Sequence, residues 1–163
     1  MAASYSSLRD LSRDPDLAVA IGNMVVVWAY AETVMLSALA RVSSMRLNMA
    51  MVGYYRIPTF EARTKFILSL CTEWDTSEFD KAAIEQAIQK LAKLASTRNH
   101  WVHGDWCGSK DDKTVVIFDH RADPASLARR KVVKANDVRH HCDTVRSRAD
   151  ELNELIQIET LPI

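Results

Sequence analysis

Arg98-Asn99-His100-Trp101-Val102-His103-Gly104-Asp105-Trp106 is the stretch on which the reading of this 163-residue chain turns. It closes an apolar stripe. Ile84, Ile88, Leu91 and Ala95 recur at alternating steps of four and three, the spacing of one helix face. The next positions in that register are Arg98 and Val102, so an arginine stands where a core residue is expected. Such a placement is costly unless the cation has a partner or a task. On a helix, Arg98, Asn99 and His103 fall at about 0°, 100° and 140° around the axis, with Asn99 and His103 as i,i+4 neighbours. Gly104 reads as a C-cap glycine, which places His103 in a last turn whose free carbonyls favour positive charge.

A cation, an amide and an imidazole on one side of a helix suit phosphate chemistry. The imidazole gives or takes a proton, and the guanidinium holds a phosphate or stabilises an oxyanion. The same residues also fit a plainer reading, in which Arg98 snorkels or pairs with a carboxylate and His103 is an inert helix-terminal histidine.

Arg98-Asn99, three residues, then His103-Gly104 resembles the signature of the HEPN superfamily, small all-helical domains of prokaryotic defence and toxin systems. The order and length of the helical segments over roughly 17–158 extend the resemblance. It implies an all-α fold, a four-to-five-helix HEPN-like bundle. It also implies a metal-independent endoribonuclease of toxin or antiphage-defence type, needing no cofactor, in which the RNA 2′-hydroxyl attacks the neighbouring phosphate. Arg98, Asn99 and His103 would be the catalytic residues. One motif supplies one imidazole, so the resemblance implies a homodimer with a composite site. The alternative is a non-catalytic HEPN-like module that binds RNA, a nucleotide or a protein partner. Family toxins paired with a nucleotidyltransferase antitoxin often carry Tyr two positions after the motif His. Here that residue is Asp105, which argues against control by that modification, although an antitoxin or defence-system partner protein stays compatible with the resemblance.

Two acidic residues are read as supporting the site. Asp105 places a carboxylate near His103. Glu32 interrupts an apolar helix and either approaches Arg98 or His103, or pairs with Arg63 or Lys65. RNA also requires a cationic surface. From His120 to Arg148 there are eight Lys or Arg against three Asp, densest at Arg129, Arg130, Lys131 and Lys134. These are candidate backbone contacts, with Trp101 and Trp106 as candidate stacking platforms. The competing reading is a solvated charged face and two packing tryptophans.

The remaining sequence frames this site. Composition fits one soluble domain at 48% hydrophobic residues, and zero formal net charge neither announces nor excludes nucleic acid. Residues 1–16 read as a flexible N-terminal arm or short capping segment, and 17–163 as a single helical domain. Residues 17–42 are apolar on nearly every face; Asn23, Glu32, Thr33 and Ser37 argue for a covered core helix over a membrane span. A helix or ordered loop is expected at 44–55. Pro58 and Thr59 open a second helix with Phe60, Ile67, Leu70 and Trp74 on one face, and Thr76 or Ser77 caps a third. An insertion at 107–134 holds a small hairpin, with 114–118 as a strand and Val132-Val133 as its candidate partner. Asn136 or Asp137 then caps a last helix with Val138, Cys142, Val145, Ala149, Leu152 and Ile156 along one seam. The three cysteines lack a Cys-x-x-Cys pair and point to a reduced, cytoplasmic protein. A zinc site from His100, His103 and Cys107, or from His140, His141 and Cys142, is a lesser competitor.

Overall fold

The computed structural model describes residues 5–77, 79–109, 114–118 and 131–156. Over these residues the chain is mostly helical, with a small antiparallel sheet. In chain order the elements are β1 (Tyr5–Ser7), α1 (Pro15–Val42), α2 (Leu47–Arg56), α3 (Phe60–Glu73), α4 (Lys81–Ala92), α5 (Ala95–His103), β2 (Asp105–Ser109), β3 (Val115–Phe118), β4 (Lys131–Val132) and α6 (Ala135–Leu155). They fall into two compact units, Met1–Val26 with Ser96–Cys142 and Val27–Ala95 with Asp143–Ile163.

The helix starts follow capping chemistry. Asp14 accepts the amide of Leu17 at 3.0 Å, and Pro15 takes the first helical position of α1, where its missing N–H is harmless. Thr59 accepts from the Ala62 amide and caps α3, as the sequence suggests. The cap of α4 is Asp80, which accepts from Ala83 at 3.0 Å, and not Thr76 or Ser77. Its carboxylate is a stronger acceptor than a hydroxyl, and it complements the helix dipole.

In the unit of Val27–Ala95 and Asp143–Ile163, the core joins Trp28, Met35, Leu39, Tyr54, Ile67, Ile84, Leu91, Val145 and Leu152. Glu151 ties α6 to α4 through Lys90 at 3.0 Å and also receives Arg148 at 2.6 Å. These two cations hold its carboxyl below the usual range. Tyr30 donates its hydroxyl to Asp150 at 2.7 Å, so the phenol titrates only at about 12. Every residue of the Val138-to-Ile156 seam is buried. Helix α1 is also long and apolar enough by composition to cross a membrane.

The other unit carries the sheet, in strand order β1-β2-β3-β4. Within residues 1–16, the segment Tyr5–Ser7 is a strand of this sheet. Tyr5, Ser6 and Ser7 pair with Ser109, Gly108 and Cys107, and Tyr5 packs edge-on against Phe118 at 6.5 Å. The expected hairpin is larger than anticipated. Strand β2 starts at Asp105, immediately after the motif, and pairs Trp106 with Ile117 and Cys107 with Val116. The four residues of β3 are all buried, which suits a central strand of β-branched and aromatic residues. The candidate partner of β3 is confirmed in β4, whose Val132 faces Val116.

Candidate functional site

The motif helix is not the continuation of α4. Leu94 donates its amide to Leu91, a tightened turn that ends one helix, and α5 restarts at Ala95. This shifts the register. Ile84, Ile88 and Leu91 are fully buried, but the buried side chain of α5 is Trp101; Arg98 is half-buried and Val102 exposed. Arg98 thus does not occupy a fully buried core position, although its Nε is shielded from solvent while its Nη1 faces Asn99 on the exposed side.

On α5 the arginine and the amide are joined directly. Arg98 donates an Nη1–H to Asn99 Oδ1 at 3.0 Å on the exposed side of the helix. His103 is exposed in the last turn. The arrangement can present a planar cation with an oriented amide beside an accessible imidazole, the groups needed to hold a phosphate and exchange a proton.

Gly104 is needed here for a reason other than the expected left-handed cap, since no glycine among the described residues has positive φ. A Cβ at this position would lie 2.6 Å from the His100 carbonyl oxygen and 2.7 Å from the Ile117 side chain. The helix end therefore passes too close to β3 for any larger residue. Trp106 strengthens the same corner by donating its indole N–H to the Trp101 carbonyl at 3.0 Å.

No sequence profile of a known family, no characterised protein and no solved structure matches this chain.

The geometry of the site separates the remaining candidates. Trp101 is 4% exposed and packs edge-on against His141 with ring centres 5.1 Å apart, so it offers no face for a base to stack on. Trp106 is half-buried and committed to the Trp101 carbonyl. Burial thus favours the packing reading for Trp101. Asp105 is exposed at the start of β2, opposite Phe118. Glu32 has its partner in Arg63 at 2.9 Å, the second of the two alternatives. Arg63 also donates to the Ile57 carbonyl and lies over the Tyr54 ring, so Glu32 anchors a structural arginine in the core-bearing unit.

Lys131 and Lys134 are exposed, the former on β4 and the latter just before α6, where its amide is capped by Asp137. Arg129 and Arg130 lie outside the described residues, as do most positions of the 107–134 insertion. Further along, Arg139 has Asp16 at 3.8 Å, Arg146 has Asp143 at 2.9 Å, and Arg148 has Glu151. Partnered in this way, these cations attract a phosphate backbone less than their number suggests.

Among the described residues no three His, Cys, Asp or Glu side chains converge on a possible metal position. His141 is buried, and burial, aided by the neighbouring His140 charge, lowers its pKa. The three cysteines are buried and form no disulfide, with the Cys71 thiol pushed up to about 11 mainly by burial. A cavity of about 500 Å³ lies elsewhere, lined by Arg41, Ser44, Met45, Trp74, Thr76 and Phe79 among others. The motif does not contribute to it, and nothing in the sequence reading anticipates it.

Proposed function

We propose that this chain is a HEPN-like, metal-independent endoribonuclease of toxin or antiphage-defence type, acting in the cytoplasm as a homodimer. Its helices would form the HEPN-like four-to-five-helix bundle, with the sheet as an elaboration beside the motif. The observation that carries this reading is the presentation of Arg98, Asn99 and His103 on one short helix, with Arg98 tied to Asn99 and His103 open to solvent.

In the proposed reaction an RNA 2′-oxygen attacks the adjacent phosphorus while the bond from phosphorus to the 5′-oxygen breaks. One proton leaves the 2′-hydroxyl and one is delivered to the departing 5′-oxygen. The products are a 2′,3′-cyclic phosphate and a free 5′-hydroxyl, so no water is consumed. His103 of one protomer takes the first proton and His103 of a second copy supplies the other; general acid–base assistance of this kind is worth about 10²–10⁴-fold. Arg98 neutralises the phosphate as its charge grows in the transition state, and Asn99 keeps the guanidinium in place. Two-fold symmetry would supply both imidazoles from one motif.

A non-catalytic module binding RNA, a nucleotide or a protein partner is favoured by a different observation. Trp101 is buried and Arg139, Arg146 and Arg148 have carboxylate partners, which leaves less surface for gripping a long RNA.

Incubation of wild type, Arg98→Ala and His103→Ala with mixed cellular RNA in EDTA separates these readings, provided circular dichroism shows all three folded. Cleavage by wild type alone, leaving cyclic-phosphate ends, supports the nuclease. Folded but inert protein in all three cases favours the binding module. Equal cleavage by all three points away from the motif. A strictly monomeric wild type in sedimentation would count against the composite site.

A further inference from the structure

We infer that the outer face of α2 is a docking surface for an acidic amphipathic helix of a partner protein. A surface helix of a folded domain normally turns polar and charged residues outward. Helix α2 does the reverse. It packs inward through Ala50, Tyr54 and the half-buried Leu47, and exposes Met49, Met51, Val52 and Tyr55, with Met45 exposed just before it. Met49 is 61% exposed and Val52 59%. Within α2, Met49 with Val52 and Met51 with Tyr55 stand three and four residues apart, so they form an outward apolar surface that ends at the exposed Arg56.

Two properties make this face suited to binding. Methionine is unbranched and polarizable, and adapts its shape to an incoming apolar surface. Tyr55 is pre-ordered: its ring lies edge-on to Tyr54 at 5.3 Å and under the Arg63 guanidinium at 5.5 Å. Arg63 is itself held by Glu32 and the Ile57 carbonyl. An aromatic side chain fixed before binding loses little freedom on contact.

Charge selects the occupant. From Thr33 to Phe60 there is no acidic residue, while Arg41, Arg46 and Arg56 are present. Arg46 and Arg56 are exposed at the two ends of α2, so the apolar stripe is bracketed by cations. A second copy of the same face, related by a two-fold axis, would bring these arginines against one another, and like charges disfavour that pairing. A helix with a Leu- or Met-type apolar face flanked by Asp or Glu complements both the stripe and its ends. The surface is formed by residues other than the Arg98 motif, and this inference stands whether or not that motif cleaves RNA.

The test is a display library of amphipathic helical peptides with a constant apolar face and randomised flanking positions, selected on the immobilised full chain. Selected peptides enriched in Asp and Glu, with affinity falling at least tenfold on Met49→Gln/Val52→Gln, are the expected result. The Arg46→Glu/Arg56→Glu variant should instead select basic peptides. Circular dichroism confirms that each variant, altered only at exposed positions, is folded. No enrichment, or enrichment without acidic bias in wild type, overturns the inference. So does loss of a wild-type dimer in Met49→Gln/Val52→Gln, which would assign the face to a second copy. Binding of phosphatidylglycerol vesicles through this stripe without selection of acidic peptides would assign it to a membrane and equally overturn it.

Discussion

The indole N–H of Trp106 donates to the main-chain carbonyl of Trp101 at 3.0 Å, bridging the end of α5 and the start of β2. Between them lie His103 and Gly104, so this bond spans the corner that sets the direction of the candidate imidazole. Trp101 in turn is buried against His141. The backbone corner that carries exposed His103 is therefore bounded by two tryptophans that the sequence offers equally well as base-stacking platforms.

Replacing Trp106 with Phe keeps most of the apolar contact and removes the donor. A loss of about 1 kcal/mol is expected, the usual net worth of one neutral hydrogen bond. Chemical denaturation measures it. If the corner positions the site, RNA cleavage or binding falls further than stability does; an unchanged denaturation midpoint would show that the bond contributes nothing.

Gly104→Ala inserts a methyl group against the His100 carbonyl oxygen and the Ile117 side chain. Ile117 is buried, so relief requires movement of the helix end or of β3. Destabilisation of about 1–3 kcal/mol is expected, as for overpacking in general. Adding Ile117→Ala should not restore stability, because the carbonyl contact remains and a cavity is created. Thermal unfolding of the single and double variants checks this.

His141 makes the fold sensitive to acid. Its Nε2 is buried with no hydrogen-bond partner among the described residues, and burial lowers its pKa from the ordinary 6.5. The unfolded chain thus binds a proton more readily than the folded one. The contribution of neutral His141 is present above pH 6.5 and is lost as pH falls through the folded value. Melting temperature should drop between pH 7 and 5, and His141→Phe, which keeps a ring against Trp101, should flatten that part of the profile. Parallel profiles for the two proteins would rule out this origin.

Glu32→Gln removes the charge opposite Arg63 while preserving shape. The two side chains are 28% and 13% exposed, so the pair is partly shielded from water. Loss of one charge should cost on the order of 1–3 kcal/mol, below the 3–5 typical of a fully buried pair. Arg63→Met, which removes the cation that lies over Tyr54 and Tyr55, should also destabilise. A double variant no worse than the worse single one would show the two acting as a unit. Additive losses in denaturation experiments would show that they act separately.

Much of the helical framework was legible because helices are encoded by local repetition. The stripe from Val138 to Ile156 is buried throughout, and Thr59 caps α3 as its position suggests. The chemical identity of the candidate site, Arg98-Asn99 with His103, also needed only the sequence. Its surroundings did not follow the same pattern. Nothing between Leu91 and Ala95 resembles a helix breaker, since neither Gly nor Pro occurs there, yet the turn at Leu94 moves Arg98 off the core register and puts Trp101 inside.

The sequence by itself determined the helical periodicity, the helix start at Thr59 and the residue types of the motif, all of which depend on neighbours within a few positions. Only tertiary structure decided that Tyr5–Ser7 joins β2, that Glu32 pairs with Arg63, and that Gly104 must lack a side chain against Ile117. A three-residue strand has too little pattern to announce a partner about a hundred residues away. An isolated carboxylate likewise has several cations within its reach, and which one it meets depends on how the helices pack. Those choices are made by close packing and by the cost of leaving polar groups unpaired, energies that exist only once distant segments meet.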